Sequence, residues 1–204
     1  MFCAIMENMR YVSQEQFGDA IKAFNRGDIV AVPTEAAYGL AVKLDNTSAI
    51  RKLLELSQRQ LAGNKILTLL LADVDDIKKY AVINRKTMNM ARHYFPGELT
   101  LVLPKRNAFK HPYFDHFETV GIHIPEHKYL LELVRRSGPL LIASITLKDK
   151  TTCRSSDDIT RSLPTVDTVV KGVAGGSIPP TIIDWTEDEP VAVRQGGLLI
   201  VRYA

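Results

Sequence analysis

Four places in the 204-residue chain set hydroxyl or cationic side chains at the end of an apolar run. They are Pro33-Thr34-Glu35 with Tyr38-Gly39, Ser57-Gln58-Arg59 with Lys65, Ser144-Ile145-Thr146, and Pro180-Thr181 with Arg194-Gln195-Gly196-Gly197. These residue types suit anion recognition: guanidinium and ammonium groups screen phosphate or carboxylate charge, and hydroxyls with loop N–H groups hold a reacting group in line. Open α/β sheets gather such groups in a crevice at their strand ends. Each place also has a purely structural reading. Thr34, Ser144 and Thr181 could form ST turns or caps, Arg59 and Lys65 could be solvated charges, and Gly196-Gly197 could be a turn.

The familiar alternatives are missing. The sequence has no Gly-x-Gly-x-x-Gly, Walker A, Gly-x-Ser-x-Gly or His-Glu-x-x-His motif. Its five histidines lack ligand spacing on a helix; His123 and His127 are four apart, but Pro125 lies between them. Cys3 and Cys153 are too isolated to suggest a zinc site or a disulfide framework. No metal site built from protein ligands is expected.

Lys plus Arg exceeds Asp plus Glu by 26 − 23 = 3, a mild excess that permits an anionic ligand and is far from a nucleic-acid-coating tail. At 46% hydrophobic and 24% charged residues, disorder and collagen-like arrays are excluded. No apolar run reaches the roughly 18 residues a membrane span needs, and Glu7 and Arg10 interrupt the N-terminal stretch where a signal peptide stays apolar. The expectation is a cytoplasmic protein with no membrane partner.

Helix and strand patterns alternate along the chain, so the expectation is one α/β domain over residues 1–204 with a large mixed sheet. Helices are expected at residues 14–26, with Ser13 as N-cap and Gly27 as stop, and at 47–56, 74–80, 85–94, 129–136 and 156–163. Strands are expected at 28–33, 66–71, 99–103, 120–124, 140–144, 168–171, 180–184 and 190–194. Residues 34–39 and 57–65 are read as connections.

Taken in order, several segments resemble the YrdC-like family, which includes the threonylcarbamoyl-AMP synthases of tRNA modification. Residues 32–40, Val-Pro-Thr-Glu-Ala-Ala-Tyr-Gly-Leu, are similar to the family's Pro-Thr-Asp/Glu-x-x-Tyr-Gly-Leu signature. Residues 53–59 occupy the place of its Lys-x-Arg element, and 95–103 that of its Trp-Pro-Gly-Pro-x-Thr strand. Residues 119–125 stand for Thr-Val-x-Val-Arg-x-Pro, 143–146 for Ser-Ala-Asn, 180–184 for Ser-Thr-Ile-x-Asp, and 193–196 for the closing Arg-x-Gly.

The resemblance implies a YrdC-like twisted mixed sheet, flanked by helices around a concave basic cavity. It also implies a reaction of L-threonine, bicarbonate or CO₂ and ATP, with Mg²⁺, giving threonylcarbamoyl-AMP for tRNA N6-threonylcarbamoyladenosine. By motif, Thr34, His123, Ser144 and Thr181 would bind threonine, and Arg59, Lys65, Thr119, Thr146 and Arg194 the nucleotide. No catalytic residue is assigned.

Four positions depart from the pattern: Ser57 replaces a lysine, His123 an arginine, Thr146 an asparagine and Pro180 a serine. Such losses resemble the YciO-like branch, with which residues 59–61, 179–184 and 191–196 also agree. Histidine cannot supply the bidentate, pH-independent anion contact of arginine. Slow or absent synthesis is therefore expected at neutral pH, with partial rescue by Ser57→Lys plus His123→Arg. The alternative reading is a module binding nucleotide, double-stranded RNA or tRNA without robust synthesis. Its candidate RNA contacts are Arg85, Lys86, Arg92, Lys105, Arg106 and Lys110, which could equally be a solvated face.

Overall fold

Short apolar runs such as β2 (Val30–Pro33), β7 (Leu140–Ser144) and β8 (Thr168–Val170) are too brief for stable helices; once paired, β2 and β8 are buried throughout and β7 at all but Ile142 and Ser144. The structure is a computed structural model describing residues 9–63, 66–176 and 178–199. Lys65 and Cys3 lie outside the described residues. The other strands are β1 (Arg10–Val12), β3 (Tyr38–Lys43), β4 (Thr68–Leu70), β5 (Leu99–Pro104), β6 (Thr119–His123), β9 (Thr181–Asp184) and β10 (Val191–Arg194). Among the described residues they form one ten-stranded mixed sheet in the order β1-β8-β2-β3-β7-β4-β6-β5-β9-β10.

Strand alternation sorts side chains onto two faces. Leu69, Leu101, Ile122 and Leu141 join one core cluster with Ile50 and Leu53 of α2 (Thr47–Gln60) and Met90 and Ala91 of α4 (Arg85–Tyr94). On the other face, Val30, Val32 and Val170 pack against α1 (Phe17–Arg26) and α5 (Lys128–Ser137) through Ala20, Phe24, Leu130 and Leu133. Two short helices, α3 (Ile77–Tyr80) and α6 (Ser156–Ser162), add Ile77 and Ile159 to the first cluster. No helix among the described residues is long and apolar enough to cross a membrane.

Local chemistry moves several expected boundaries. Gly27 does end α1, taking φ 83° and donating its N–H to Ala23 and Phe24, a left-handed conformation that favours glycine. Ser13 is not the N-cap. Residues 13–16 form their own turn, with Gln16 N–H bonded to Ser13 O, and the helix starts at Phe17. α2 continues to Gln60, so Ser57 and Arg59 are helical rather than part of a connection. β1 and β3 were not expected as strands. β3 begins at Tyr38, inside the expected loop, and runs antiparallel to β2 as a hairpin.

At α6, Ser155 and Asp158 form a reciprocal capping box. Ser155→Ala is expected to cost about 1 kcal/mol, measurable by urea unfolding. The Arg154 N–H, helped by Ser155 and Arg161, holds the Asp158 carboxyl down at about 2 despite some burial. Its folded-state value lies below the unfolded one, so its stabilisation is complete above about pH 4 and is lost as pH falls through about 2. The melting-temperature gap between wild type and Asp158→Asn should close over that interval.

Candidate active site

The central strands leave part of one face open, and it forms a cavity of about 460 Å³. Lining residues come from seven neighbouring strands: Tyr38 and Gly39 on β3, Ile142 and Ser144 on β7, Thr68 and Leu70 on β4, His123 on β6, Thr100 on β5, Ile182 on β9 and Arg194 on β10. Strand register explains this. Gly39 pairs with Ser144, Thr68 with Ile142, Leu70 with His123 and Thr100 with Ile182, so each pair points its side chains to the same face. The turn at residues 34–37 and Ile145, Thr146, Thr152 and Arg154 close the sides.

The β2–β3 turn is built by Thr34. Its hydroxyl donates to Ala37 O at 2.6 Å and accepts from the Ala36 and Ala37 N–H groups at 3.1 and 3.3 Å. The oxygen's hydrogen-bonding capacity is thereby used within the turn. Thr34 lines the cavity as expected, yet its hydroxyl serves the local ST turn.

That turn presents Glu35, which stands at the Asp/Glu position of the signature but is given no binding role there. Glu35 Oε1 lies 2.6 Å from His123 Nε2, while His123 Nδ1 lies 2.6 Å from Leu99 O. Both side chains are nearly buried, 10% and 8% exposed. With an acceptor at each ring nitrogen, the arrangement is satisfied by imidazolium against carboxylate or by a neutral ring against a protonated acid. Burial is the largest single influence on Glu35 and raises its pKa. The hydrogen bond and charge of His123, with help from the Glu35 backbone and His127, outweigh it and leave the carboxyl below its ordinary range. The Glu35 carboxyl is thereby favoured in its charged form. His123 is thus committed to Glu35 and is not a free replacement for an anion-binding arginine.

At the rim, Arg194 donates from Nε and Nη2 to Pro180 O at 3.0 and 2.7 Å, which fixes its guanidinium while leaving further N–H groups available. Burial lowers its pKa, but an arginine remains charged. Arg154 is the second guanidinium of the lining. It had no sequence signal beyond its place before the α6 cap.

Thr34, His123, Ser144, Thr146 and Arg194 therefore meet at one cavity, although the first and last are 160 positions apart. Arg59 and Thr181, expected in the same cavity, do not line it. Arg59 is exposed on α2 and bonds Glu55 one turn earlier. Thr181 is fully buried, donating to Leu198 O and accepting from Gly196 N–H. It ties down the segment after β10. Thr119, expected at the nucleotide, starts β6 four residues before His123, about 13 Å along the strand, and is not in the lining. Pro180 lines the cavity, whereas Ser57 is 2% exposed and does not.

The segment after β10 allows no side chain at Gly196, where a Cβ would collide with Pro179 O and crowd Pro180 and Thr181 backbone. Gly196→Ala should cost about 2 kcal/mol through forced backbone movement and displace Arg194 from the rim. Calorimetric unfolding would show the stability loss.

Three of the six candidate RNA contacts are engaged within the protein. Arg92 pairs with Asp75 at 2.8 Å, Arg106 donates to Lys78 O, and Lys105 donates to Phe114 O.

The Sua5_yciO_yrdC family model, described as telomere recombination, matches residues 22–196. The chain belongs to the Sua5/YciO/YrdC family. A threonylcarbamoyl-AMP synthase of Bacillus subtilis is 29% identical over 191 residues, covering 90% of this chain and 54% of the relative. P. abyssi Sua5 complexed with L-threonine superposes with a TM-score of 0.79 at 26% identity, covering 93% of this chain and 58% of that one. E. coli YciO superposes with a TM-score of 0.81 at 24% identity, covering 93% and 95%. The chain thus spans somewhat over half the length of the first two relatives and nearly all of YciO. The Sua5/YciO/YrdC fold matches the expected twisted mixed sheet.

Proposed function

We propose that the cavity binds L-threonine with ATP and joins them through bicarbonate or CO₂, forming threonylcarbamoyl-AMP and pyrophosphate for tRNA N6-threonylcarbamoyladenosine. The observation that carries the reading is the convergence of three distant family segments, residues 34–39, 144–146 and 194, on one cavity. The threonine in P. abyssi Sua5 and the naming of the B. subtilis relative support the substrates.

In this reaction the threonine amine forms a bond to carbon, releasing a proton when CO₂ reacts, or water, as the carbon–hydroxyl bond breaks, when bicarbonate does. A carbamate oxygen then attacks the α-phosphorus, the α,β-anhydride bond breaks, and pyrophosphate leaves. The chain contributes position and charge screening. Arg154 and Arg194 would hold phosphate oxygens, and the Ser144 and Thr146 side chains would orient substrate. Among the described residues no group of three His, Cys, Asp or Glu side chains could hold a metal ion, so Mg²⁺ would be carried on the triphosphate.

Turnover is expected to be slow. His123 is held by Glu35, and a lost transition-state contact typically costs about 10²- to 10³-fold in rate. Pyrophosphate release measured with and without threonine tests the reading: slow, threonine-dependent release is expected, and release indifferent to threonine would overturn it. MgATP should also raise the melting temperature, since a ligand selective for the folded state stabilises it. Arg194→Ala should lose most of that rise, reflecting about 1.5 to 3 kcal/mol of charged hydrogen bonding. An unchanged rise would remove Arg194 from the site.

A further inference from the structure

Three threonines of the sheet and its turns spend their hydroxyls inside the fold: Thr34 on Ala37 O, Thr168 on Asp28 and Thr181 on Leu198 O. Thr68 is different. It opens β4 half-buried, while Leu69 and Leu70 after it are fully buried, and it lines the cavity. Its hydroxyl has no hydrogen-bond partner among the described residues, so its donor and its acceptor positions remain available to a molecule in the cavity. Thr100, the other threonine contributed by a strand to the lining, is buried.

The surroundings of Thr68 are aliphatic. Ile142 stands directly across from it on β7, and Leu70 follows two residues on along the same face. Both line the cavity. The Ile142 Cδ1 methyl lies over Gly39, where a Cβ would collide with it. One open hydroxyl set beside aliphatic side chains matches a ligand group that is itself part hydroxyl and part methyl. The guanidiniums lie elsewhere: Arg154 and Arg194 are exposed, and Pro180 O holds Arg194 at the rim.

We infer that Thr68 selects the substrate by its side chain: its hydroxyl bonds the β-hydroxyl of a β-hydroxy-α-amino acid, while Ile142 and Leu70 take up the adjoining methyl. This deepens the proposed function and rests on it. The substrate enters side chain first, so its amine and carboxylate stay toward the guanidinium rim. The amine then stands on the side where Arg154 and Arg194 would hold phosphate, as carbamate attack on the α-phosphorus requires. Thr68 determines specificity and takes no part in bond making.

Calorimetric titration of wild type, Thr68→Val and Thr68→Ser with L-threonine and with L-valine, which carries a methyl group where threonine has its hydroxyl, tests this. Thr68→Val replaces the hydroxyl by a methyl of similar shape, and valine suits a strand, so the variant should fold with a near-unchanged melting temperature. Wild type should bind threonine roughly tenfold more tightly than valine, because a site built for a hydroxyl rejects the analogue lacking it. Thr68→Val should bring that ratio toward one, and Thr68→Ser should retain most of it. Equal binding of the two ligands by wild type would overturn hydroxyl selection while leaving an amino-acid cavity in place, and needs no folded variant. An unchanged ratio in Thr68→Val would also overturn it. A ratio lost equally in both variants would assign selection to packing and overturn it as well. Binding of neither ligand by wild type would overturn the proposed function, and this inference with it.

Discussion

His123→Ala is expected to lower the free energy of unfolding by about 3 to 5 kcal/mol, the cost of leaving a buried charge without its partner. Glu35 and His123 come from elements 88 residues apart and meet at 2.6 Å, each about one-tenth exposed. Removing the imidazole would leave both Glu35 oxygens without a side-chain donor and free Leu99 O at the same time. His123→Arg should lose much less, because a guanidinium can still meet the carboxylate. The effect has a pH signature. Glu35 titrates below its ordinary 4.5 in the folded protein, so the pair's contribution is present above that value and is lost as pH falls through the lower folded value. Urea unfolding at neutral and acid pH should show the wild-type advantage over His123→Ala narrowing in acid. An equal gap at both would contradict an ionic pair.

Ser57→Lys is the second large effect, and its sign is opposite to the expectation from family motifs. Restoring the lysine at position 57 should damage the protein. Ser57 lies on α2 at 2% exposure with its hydroxyl already lacking a partner. An ammonium placed there loses hydration without gaining a carboxylate, and buried lysines drop by 3 to 5 pKa units, or about 4 kcal/mol and more. The variant should unfold at lower denaturant and show no increase in turnover. A stable, faster Ser57→Lys enzyme would mean that position 57 reaches the cavity after all.

Much of the architecture was legible because its signals are local. Helix α4 and strand β7 fall at the expected residues, each bounded by clear changes of hydrophobic period. β3 was hidden because Tyr38 and Gly39 read as the end of a turn, and only pairing with β2 and β7 makes them a strand. β1, three residues at the sheet edge, has too little pattern to stand out. Site legibility followed the same division. Thr34, Ser144, Thr146 and Arg194 line one cavity, since each sits at a strand end facing one side of the sheet. Thr181, whose hydroxyl turns inward to hold Leu198 and Gly196, and Arg59, whose helix continues past the expected end, lie outside the lining. Strand ends can be read from sequence, but the direction of a side chain there depends on partners far along the chain. Glu35 shows this most clearly: its residue type was visible, and its role appeared only with His123 beside it.

If one cavity holds threonine and nucleotide together and joins them through a one-carbon unit, the product itself should carry all three parts. Mass spectrometry of the nucleotide fraction after incubation with MgATP, L-threonine and ¹³C-bicarbonate reads this without an intermediate step. The expected result is a slowly accumulating AMP adduct that contains threonine and the labelled carbon and is reduced in Arg194→Ala. Wild-type protein that binds MgATP and threonine yet forms no labelled adduct on prolonged incubation would contradict synthesis in this cavity.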